Sequence, residues 1–507
     1  MPGAADSYDV LVIGAGPAGS TAAQLLASWG WSVALVHRAA THPALAESLP
    51  ASARKLLGFL GQIDRVDAAG FHPNDGNVAH WAGAVRATRT ADAGFHVLRD
   101  RFDRVLRDAA IASRVRIVDA AVQRVEMTDP LAVTCVTTGD GAATIHARHV
   151  LDCSGRSGVV ARRGFRRIGS GYRTLAITAE WDCAMWPSGE QTQTAIESYD
   201  DGWAWSVPLS PTRRQSTVMI EPGRLGRPTR GTRGAGSSCG VALQAVYDRE
   251  LAKAAALTSR LSGAAQVSAP WACDASIYDS TRAADEGVLL VGDAASFIEP
   301  LSSAGVKKAL LSAWRAAVVT NTCLSNPALA AAAIDLYTRR ERQVYADCMG
   351  RARTFFVEAA GAHDTPFWRR RAECVVAFDA IDAGSEVSDQ AVASDAEVRL
   401  AFDQLRRAEH VRLRPSDALR FEPVASIEGR EVVMRDALVV PGLRAPLQFT
   451  AGVNLPALAR LVTGREEVPA ILAAYQAAVG PVPLTALLTG LSLLVARHAL
   501  VAEGSTP

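Results

Sequence analysis

The feature that most constrains the fold is a glycine-rich turn near the start of the chain. A short apolar run at residues 10–13 is followed at once by Gly14, Gly16 and Gly19, and residues 21–29 are compatible with a helix. A strand, a tight turn and a helix with glycines at this spacing are typical of a dinucleotide-binding unit. The first glycine permits the turn, the second lets the backbone approach a pyrophosphate, and the third lets the helix pack on the strand.

The helix after this turn predicts where phosphates bind, because its N-terminus offers free N–H groups and the positive end of the helix dipole. The residues expected to hold the pyrophosphate are Gly14, Gly16, Pro17, Ala18 and Gly19. The second strand, at residues 32–36, ends in His37 and Arg38 instead of the acidic residue that usually holds the ribose. His37 could donate to the ribose, or Arg38 could cover the adenine.

Composition limits the class of protein. The chain has 507 residues, enough for roughly two to four domains, and its net charge of +1 gives no reason to expect nucleic-acid binding. The 8 cysteines are scattered without a C-x-x-C pair, as in proteins whose thiols stay reduced. Residues 484–501 are apolar but interrupted by Arg497 and His498, which predicts a buried helix and no membrane span. We expect a soluble, cytoplasmic protein.

Two further glycine-rich turns follow predicted strands at 149–151 and 288–291. Their candidate ligand-binding residues are Gly155, Arg156, Gly292 and Asp293. A carboxylate such as Asp293, at a strand end beside a helix N-terminus, can bind ribose hydroxyls. The helix predicted at 306–324 begins close by, so its N-terminus could stabilise an anion such as a reduced flavin ring.

Patterning divides the rest of the chain into a sheet and a small helical module. Alternating apolar and polar residues predict an antiparallel sheet from residues 175–181, 193–199, 203–208 and 215–220. Near the C-terminus, short strands precede three helices, predicted at 454–462, 468–479 and 483–498. Short strands followed by three helices predict a winged-helix-like arrangement.

Together, the three glycine-rich turns resemble the FAD-binding core of glutathione-reductase-type flavin monooxygenases over roughly residues 7–341. The resemblance implies FAD as the cofactor. Beyond the turns themselves, the FAD contacts that it implies are Arg38, Ser48, Arg99, Pro300, Gly305 and Val306.

We therefore predict an α/β fold with a Rossmann-type FAD-binding domain at residues 1–360. An antiparallel-sheet substrate domain is inserted in it at about 171–280. A helical region at 361–415 and a small C-terminal winged-helix-like α+β module at 416–507 complete the chain.

Three shorter motifs are similar to those of the flavin-dependent halogenase branch. They are Glu47-Ser48-Leu49-Pro50, Trp203-Ala204-Trp205-Ser206-Val207-Pro208 and Glu299-Pro300-Leu301-Ser302-Ser303-Ala304-Gly305. The second matches a W-x-W-x-I-P signature in which Val207 replaces isoleucine. The resemblance implies that Trp203 and Trp205 contact the substrate, although on structural grounds both could be sheet-packing aromatics.

Two departures from the halogenase pattern predict a different chemistry. Halogenases of this branch use a lysine to hold or capture hypohalous acid, and the matching segment, residues 71–81, contains none, while Lys55 comes too early. Halogenases of the tryptophan type also carry a glutamate where this chain has Ser302. Oxygen transfer from a flavin C4a-hydroperoxide needs no lysine. We therefore predict a flavin-dependent monooxygenase that hydroxylates an aromatic side chain, with tryptophan favoured.

Residues 300–310 also resemble flavoprotein monooxygenases that mature quinone-cofactor enzymes, namely quinohaemoprotein amine dehydrogenase and lysine oxidase. Members of this subgroup oxidise a tryptophan inside a peptide or protein. The C-terminal module resembles precursor-recognition domains, which add a peptide strand to a sheet edge. Both resemblances imply a peptide or protein substrate, although the module could instead be a packing domain or a dimer contact.

The monooxygenase prediction implies O2 as a cosubstrate and FAD reduced by NAD(P)H, directly or through a flavin reductase. Candidate catalytic groups are Glu47, His72, Ser302 and Ser303, and His80 is a candidate substrate contact or base. Ser302 and Ser303 would contact the flavin ring, while a carboxylate or imidazole could remove the ring proton.

Three other functions stay open at the level of sequence. A halogenase with a displaced lysine would need Lys55, Lys307 or Lys308 in the pocket. A geranylgeranyl-reductase-type FAD reductase would need a long lipid tunnel. A flavin-binding protein without catalysis would retain FAD and show no oxygen-dependent turnover.

Overall fold

The computed structural model divides the chain into two compact units. It describes residues 7–39, 43–137, 141–167, 172–225, 236–374, 392, 395–407, 411–417, 419–439, 446–463 and 467–502. The first unit comprises Met1–Asn321 and Arg340–Phe378, and the second comprises Thr322–Arg339 and Asp379–Pro507.

The described strands up to residue 290 form the sheets of the first unit. They are β1 Ser7–Ile13, β2 Val33–His37, β3 Ala46–Leu49, β4 His72–Trp81, β5 Ala84–Leu98, β6 Arg116–Asp119, β7 Ala121–Glu126, β8 Leu131–Thr137, β9 Gly141–Asp152, β10 Arg166–Arg167, β11 Leu175–Asp182, β12 Gln193–Tyr199, β13 Gly202–Pro208, β14 Arg213–Ile220, β15 Ala265–Gln266, β16 Trp271–Asp274, β17 Asp279–Ser280, β18 Ala284–Asp285 and β19 Val288–Leu290. Helices connect and cover these strands. They are α1 Pro17–Ser28, α2 Ala51–Phe59, α3 Ile63–Ala68, α4 Arg99–Ala112, α5 Gly236–Leu251, α6 Ala255–Arg260, α7 Gly305–Ser325, α8 Ala330–His363 and α9 Pro366–Glu373.

The first sheet is the predicted dinucleotide-binding sheet. Its order is β18-β19-β9-β1-β2-β6, with β7 and β8 attached beside β9, and β1 pairs in parallel with both β2 and β9. A parallel sheet is covered on both faces, so its central strands are apolar throughout. Accordingly, Val10, Leu11 and Val12 of β1 are completely buried.

The turn after β1 requires glycine at two positions. Gly14 has a φ of +102°, and a Cβ there would lie 2.5 Å from the carbonyl oxygen of Cys153. A Cβ on Gly19 would lie 1.8 Å from the carbonyl oxygen of Gly14. Helix α1 can therefore pack this closely on the turn only because both residues lack side chains.

The second sheet of the first unit is largely antiparallel. Its order is β15-β11-β14-β13-β12-β4-β5-β3, and β16 also pairs with β11. The four strands predicted from alternation are present as β11, β12, β13 and β14. The sheet also takes in β3, β4 and β5, which come from much earlier in the chain. Residues 84–92 of β5 are exposed, so no burial pattern marked that part of the strand.

Aromatic side chains pack together on one face of this sheet. The ring centroid of Trp81 lies 6.4 Å from that of Trp203 and 5.4 Å from that of Trp368 on α9. The indole nitrogen of Trp81 donates to the carbonyl oxygen of Phe355 at 3.0 Å. Large buried aromatic rings contribute much of the packing energy of a core, which fixes the position of β13.

The second unit has its own hydrophobic core. Its helices after residue 390 include Ala396–Arg407, Leu455–Leu461, Val468–Ala478 and Leu484–Ala496, and its strands include β20 Leu413–Pro415, β21 Arg420–Glu428, β22 Glu431–Val439, β23 Phe449–Thr450, β24 Val453–Asn454 and β25 Leu500–Ala502. The core includes Leu455, Leu458, Leu487 and Leu491, all completely buried. The three predicted C-terminal helices are thus present. Part of the predicted helical region, at 375–391, 393–394 and 408–410, lies outside the described residues.

Within the described part of the chain, no helix is long and apolar enough to cross a bilayer.

Candidate functional site

Most of the predicted site residues line one cavity in the first unit, at the carboxyl ends of the parallel strands. Those that line it are Gly16, Pro17, Ala18, Glu47, Ser48, Arg99, Gly155, Arg156, Trp203, Trp205, Asp293, Pro300, Ser303, Gly305 and Val306. The opposite wall is the face of the antiparallel sheet, where Ala176, Ile196, Val207 and Met219 add apolar surface. Ligands of open α/β folds bind at this end of the strands.

The N-terminus of α1 forms an anion site at one end of the cavity. Gly16 precedes the helix, which has no side-chain cap and no acidic residue in its first turn. A Cβ on Gly16 would meet nothing closer than 3.8 Å, in contrast to the crowded positions 14 and 19. Gly16 therefore leaves space for a ligand, and free N–H groups at a helix start favour a phosphate there. These features fit the pyrophosphate of FAD.

Arg99 supplies positive charge beside this turn. Its Nη2 atom would lie 3.9 Å from a Cβ on Gly16. Its Nε atom donates to Asp103 at 3.0 Å, and its Nη1 atom lies 3.5 Å from Oε1 of Glu47. Burial lowers the pKa of the guanidinium, but the neighbouring carboxylates outweigh this effect and hold the pKa above its usual value. Arg99 is therefore a fixed cation at the cavity.

We expect Arg99→Met to weaken FAD binding by about 10-fold to 100-fold, because a charge-assisted contact to phosphate is lost and two carboxylates lose their partner. Titration of the apoprotein with FAD, followed by flavin fluorescence, measures the change. Arg101→Met is the matched control, since Arg101 is an exposed residue of the same helix, outside the cavity lining. Equal FAD affinity in the two variants would contradict a phosphate contact for Arg99.

Glu47 is an acid with an altered proton affinity at the same site. About a third of its side chain is accessible. Burial raises the pKa of Glu47; Arg99 opposes this shift, and the negative charge of Asp293 adds to it. Glu47 can therefore hold or accept a proton close to a ligand in the cavity.

The turn after β19 and the start of α7 form a second part of the predicted FAD site. Gly292 has a φ of +64°, and its N–H donates to Ser312 Oγ at 2.9 Å. Ser303, which lines the cavity just before α7, has a φ of +47°, which is uncommon for a residue with a side chain. Ser302, predicted beside the flavin, does not line the cavity. Its hydroxyl instead donates to the carbonyl oxygen of Glu299 at 3.0 Å.

Arg156 lies at the turn after β9, as predicted, and lines the cavity. Its Nη1 atom donates to the carbonyl oxygen of Ser276 at 3.2 Å, and its Nη2 atom lies 3.3 Å from Asp274. The same guanidinium stacks on Phe297, 4.0 Å from the ring centroid. Buried Asp152, which the sequence did not single out for a role, accepts hydrogen bonds from the N–H groups of the next turn and fixes its shape.

A carboxylate does stand near the expected ribose position, but on a different strand. Asp119 ends β6 and is paired in register with His37 at the end of β2. Its Oδ1 atom lies 2.9 Å from Nε2 of His37. An acid is thus present at the end of the adjacent strand, where it pairs with His37. Arg38 is exposed at the end of β2, and its contact with adenine stays a prediction.

The two tryptophans of the W-x-W motif both line the cavity, and they also pack against each other. Their ring centroids are 4.8 Å apart. Trp203 is 1% exposed and belongs to the aromatic core, whereas Trp205 is only partly buried. Trp203 therefore combines packing with cavity lining, and Trp205 is the more available of the two for a substrate.

The structure corrects the prediction that two histidines of β4 belong to the cavity. Nε2 of His72 donates to the carbonyl oxygen of Gln191 at 2.7 Å, and His72 lines a different groove. His80 lines a separate surface pocket with Met185 and Trp186. Successive side chains of a strand point to opposite faces. Since Trp81 belongs to the aromatic core, His80 must face away from it.

No lysine lines the cavity. The chain contains four lysines, at positions 55, 253, 307 and 308, and all four lie in the described part of the chain. Lys307 contacts Ser52 at 3.2 Å, and Lys253 pairs with acidic residues. Lys308 is 3% exposed and donates to the carbonyl oxygens of Gly292 and Ser296 at 2.9 and 2.6 Å. The amine of Lys308 therefore stabilises the turn that contains Gly292 and Ser296.

Sequence reasoning missed a hydrogen-bonded chain behind Ser48. Ser48 Oγ lies 3.0 Å from Nδ1 of buried His96 and also contacts the hydroxyl of Thr194, which lines the cavity. Nε2 of His96 lies 2.9 Å from the carbonyl oxygen of Thr192. Burial lowers the pKa of His96 to about 3, so the imidazole is neutral. The pattern F-H-V before α4 carried no signal for this contact, since Ser48 lies 48 residues earlier.

Comparison with known proteins agrees with this geometry. Residues 58–390 match the family described as tryptophan halogenase. The tryptophan 2-halogenase of Chondromyces crocatus is 30% identical over 348 residues, which cover 66% of this chain and 65% of that protein. The chain thus spans just under two thirds of the length of this relative.

Solved structures share the fold at lower identity. The flavin-dependent halogenase CmlS has a TM-score of 0.75 and 22% identity, covering 99% of this chain and 96% of that one. The peptidyl tryptophan dihydroxylase QhpG has a TM-score of 0.65 and 23% identity, covering 92% of this chain and 95% of that one. They confirm the predicted combination of a Rossmann-like parallel sheet, an antiparallel sheet and helices. The protein therefore belongs to the tryptophan halogenase family.

Proposed function

We propose that this protein is a flavin-dependent monooxygenase that hydroxylates an electron-rich aromatic ring, with the indole of tryptophan favoured. The observation that carries the proposal is the cavity itself. It joins a dinucleotide-binding turn to an apolar, aromatic wall, and none of the four lysines lines it. Halogenases of this branch need such an amine to guide hypohalous acid, whereas direct oxygen transfer does not. When bound, FAD would supply the reduction and activation of O2.

The chain's own residues would bind and orient the reactants. Gly16 and Arg99 would hold the pyrophosphate, and the segment before α7 would lie against the flavin ring. Trp205 and its apolar neighbours would place the aromatic substrate and exclude water, which protects reactive intermediates. Glu47 is the proposed base for the ring proton, because it lines the cavity and its pKa is raised by burial.

We further propose that the ring belongs to a tryptophan in a peptide or protein precursor, modified during cofactor maturation. The supporting observation is the likeness in fold to a dihydroxylase whose name specifies peptidyl tryptophan. Electrons would come from NAD(P)H, directly or through a flavin reductase, since the sequence has a single G-x-G-x-x-G turn after a strand.

A second candidate function is halogenation of an aromatic substrate. The names of the relatives support it more directly than they support hydroxylation. It would require an amine at the substrate, and Lys307 and Lys308 are the lysines nearest to the cofactor side in sequence. Both have other partners, which is why we place this candidate second.

Product mass distinguishes the two candidates. The holoenzyme would receive NADH, a flavin reductase, O2 and either chloride or bromide, with free tryptophan or a tryptophan-containing precursor peptide. We expect the mass of the peptide to rise by one or two oxygen atoms, with the same yield whether or not halide is present. A halogen isotope pattern on either substrate would overturn the proposal in favour of the second candidate.

Lys307→Met serves as the matched variant in the same assay. Lys307 is partly buried and contacts only the hydroxyl of Ser52 among the described partners. The variant should therefore oxygenate as well as the wild type. Loss of product in Lys307→Met, with FAD still bound, would show that this amine takes part in the chemistry.

A further inference from the structure

The apolar wall of the cavity contains one polar patch, formed by Ser48 of β3 and Thr194 of β12. Both residues line the cavity, and their hydroxyl groups contact each other. Thr194 lies two residues before Ile196, which is paired with Trp205 on the next strand. The patch therefore belongs to the antiparallel sheet and not to the glycine turns, which favours a substrate contact for Ser48 over the FAD contact that the resemblance implied.

The direction of each hydrogen bond in this patch follows from His96. A carbonyl oxygen can only accept, so the contact with Thr192 places the ring hydrogen on Nε2. The ring is neutral, because burial lowers its pKa to about 3 and the nearby charge of Arg214 acts in the same direction. Nδ1 then carries a lone pair and no hydrogen. Ser48 must therefore donate its only hydrogen to Nδ1.

The hydrogen bond from Ser48 to His96 also determines the direction in which the hydroxyl group of Thr194 donates. Since the hydrogen of Ser48 is already used, Thr194 must donate its hydrogen to Ser48 Oγ. Both hydroxyl hydrogens then take part in hydrogen bonds within the protein, and only the oxygen lone pairs remain for a ligand. An isolated serine or threonine can rotate to donate or accept, but here His96 removes that freedom.

We propose that Ser48 and Thr194 form an acceptor-only patch that selects aromatic substrates carrying an N–H or O–H donor, such as an indole or a phenol. His96 is the positioning residue, since it acts only through Ser48. A carbonyl, carboxylate or ether placed there would face lone pairs without a hydrogen between them. An apolar ring edge would leave the lone pairs unpaired, and buried unpaired polar groups carry a penalty.

The statement that the ligand is a substrate rests on the proposed function. The test of the patch measures binding and does not need turnover. The probes are N-acetyltryptophanamide and its 3-benzothienylalanine counterpart, in which a sulfur atom without a hydrogen replaces the indole N–H. A second pair is N-acetyltyrosinamide and N-acetylphenylalaninamide. Binding to the oxidised holoenzyme would be followed through the flavin absorbance.

At least one donor-bearing ring should bind about fivefold more tightly than its donor-free counterpart, the effect of one net hydrogen bond. Thr194→Val keeps the shape of the side chain and should reduce this preference. In Ser48→Ala the ratio of the two affinities should be close to one. Thr88→Val is the matched control on exposed β5 of the same sheet and should leave the preference unchanged. Retention of normal flavin absorbance would show that each variant is folded and loaded.

Two results would overturn the proposal. One is the absence of any preference for a donor-bearing ring in the wild type, including failure of all four probes to bind. The other is a preference that persists unchanged in Ser48→Ala and Thr194→Val. If the preference is found but no oxygen is transferred to any substrate, the acceptor patch stands and the proposed monooxygenase function fails.

Discussion

Replacing Gly19 with alanine is expected to abolish FAD binding and to lower the free energy of unfolding of the first unit by about 3 kcal/mol. The new Cβ would lie 1.8 Å from the carbonyl oxygen of Gly14 and 3.1 Å from Cβ of Cys153. The first contact is with backbone, so neither neighbour can move aside by changing a rotamer. Helix α1 would have to separate from the turn, and the pyrophosphate site would be lost with it.

Gly16→Ala is the matched control, because it tests the same motif without the clash. A Cβ at Gly16 has no neighbour within 3.8 Å, so the apoprotein should unfold at the same urea concentration as the wild type. Its methyl group would nevertheless occupy the approach of the phosphates, and FAD affinity should fall. Urea unfolding of the apoproteins and titration with FAD separate the two effects. A Gly19→Ala apoprotein as stable as Gly16→Ala would show that the turn is not tightly packed.

The glycine turn could be predicted from the sequence because its strand, turn and helix are contiguous. The strand, the turn and the helix lie within residues 8–29, and the spacing of the three glycines is visible within that stretch, although Gly14 also packs against Cys153. The same holds for the turns at Gly155 and Gly292. Local spacing also predicted β11 to β14, since alternation within a single strand reports which face is buried.

Contacts across the sheets could not be predicted in this way. The carboxylate near the ribose position comes from Asp119, which is 82 residues beyond His37 and becomes its neighbour only through the pairing of β2 with β6. Likewise, Ser48, His96 and Thr194 meet only because β3, β5 and β12 join one sheet. A one-dimensional pattern carries no information on such pairings.

The predicted histidines show a related difficulty. His72 and His80 were chosen by chemistry, since imidazole is a common general base. On β4, however, the side-chain direction alternates, and the direction that buries Trp81 excludes His80 from the cavity. His96, which the sequence did not single out, is the histidine next to the cavity, but its low pKa makes it a fixed acceptor and a poor base.

Replacing Glu299 with glutamine is expected to stabilise the protein above pH 7 by about 3 kcal/mol. Glu299 is 1% exposed, and burial raises its pKa from an ordinary value of 4.5 to about 7, against the opposing effects of Arg371 and of Tyr172. Its Oε2 atom accepts from Tyr172 at 3.4 Å, while Oε1 has no hydrogen-bond partner among the described residues. The folded protein therefore favours the neutral carboxyl group.

The sign of the pH dependence follows from this preference. Because the folded state holds the proton more tightly than the unfolded chain, the stability that Glu299 contributes is fully present below pH 4.5, is lost as pH rises to about 7, and stays constant above it. Glutamine remains neutral throughout, so the difference in unfolding free energy between Glu299→Gln and the wild type should grow from near zero to its full value over this interval. Urea unfolding at pH 5, 6, 7 and 8 measures it, with Glu286→Gln as an exposed control. A difference that does not change with pH would mean that Glu299 is ionised in the folded protein, and that Arg371 neutralises it despite its burial.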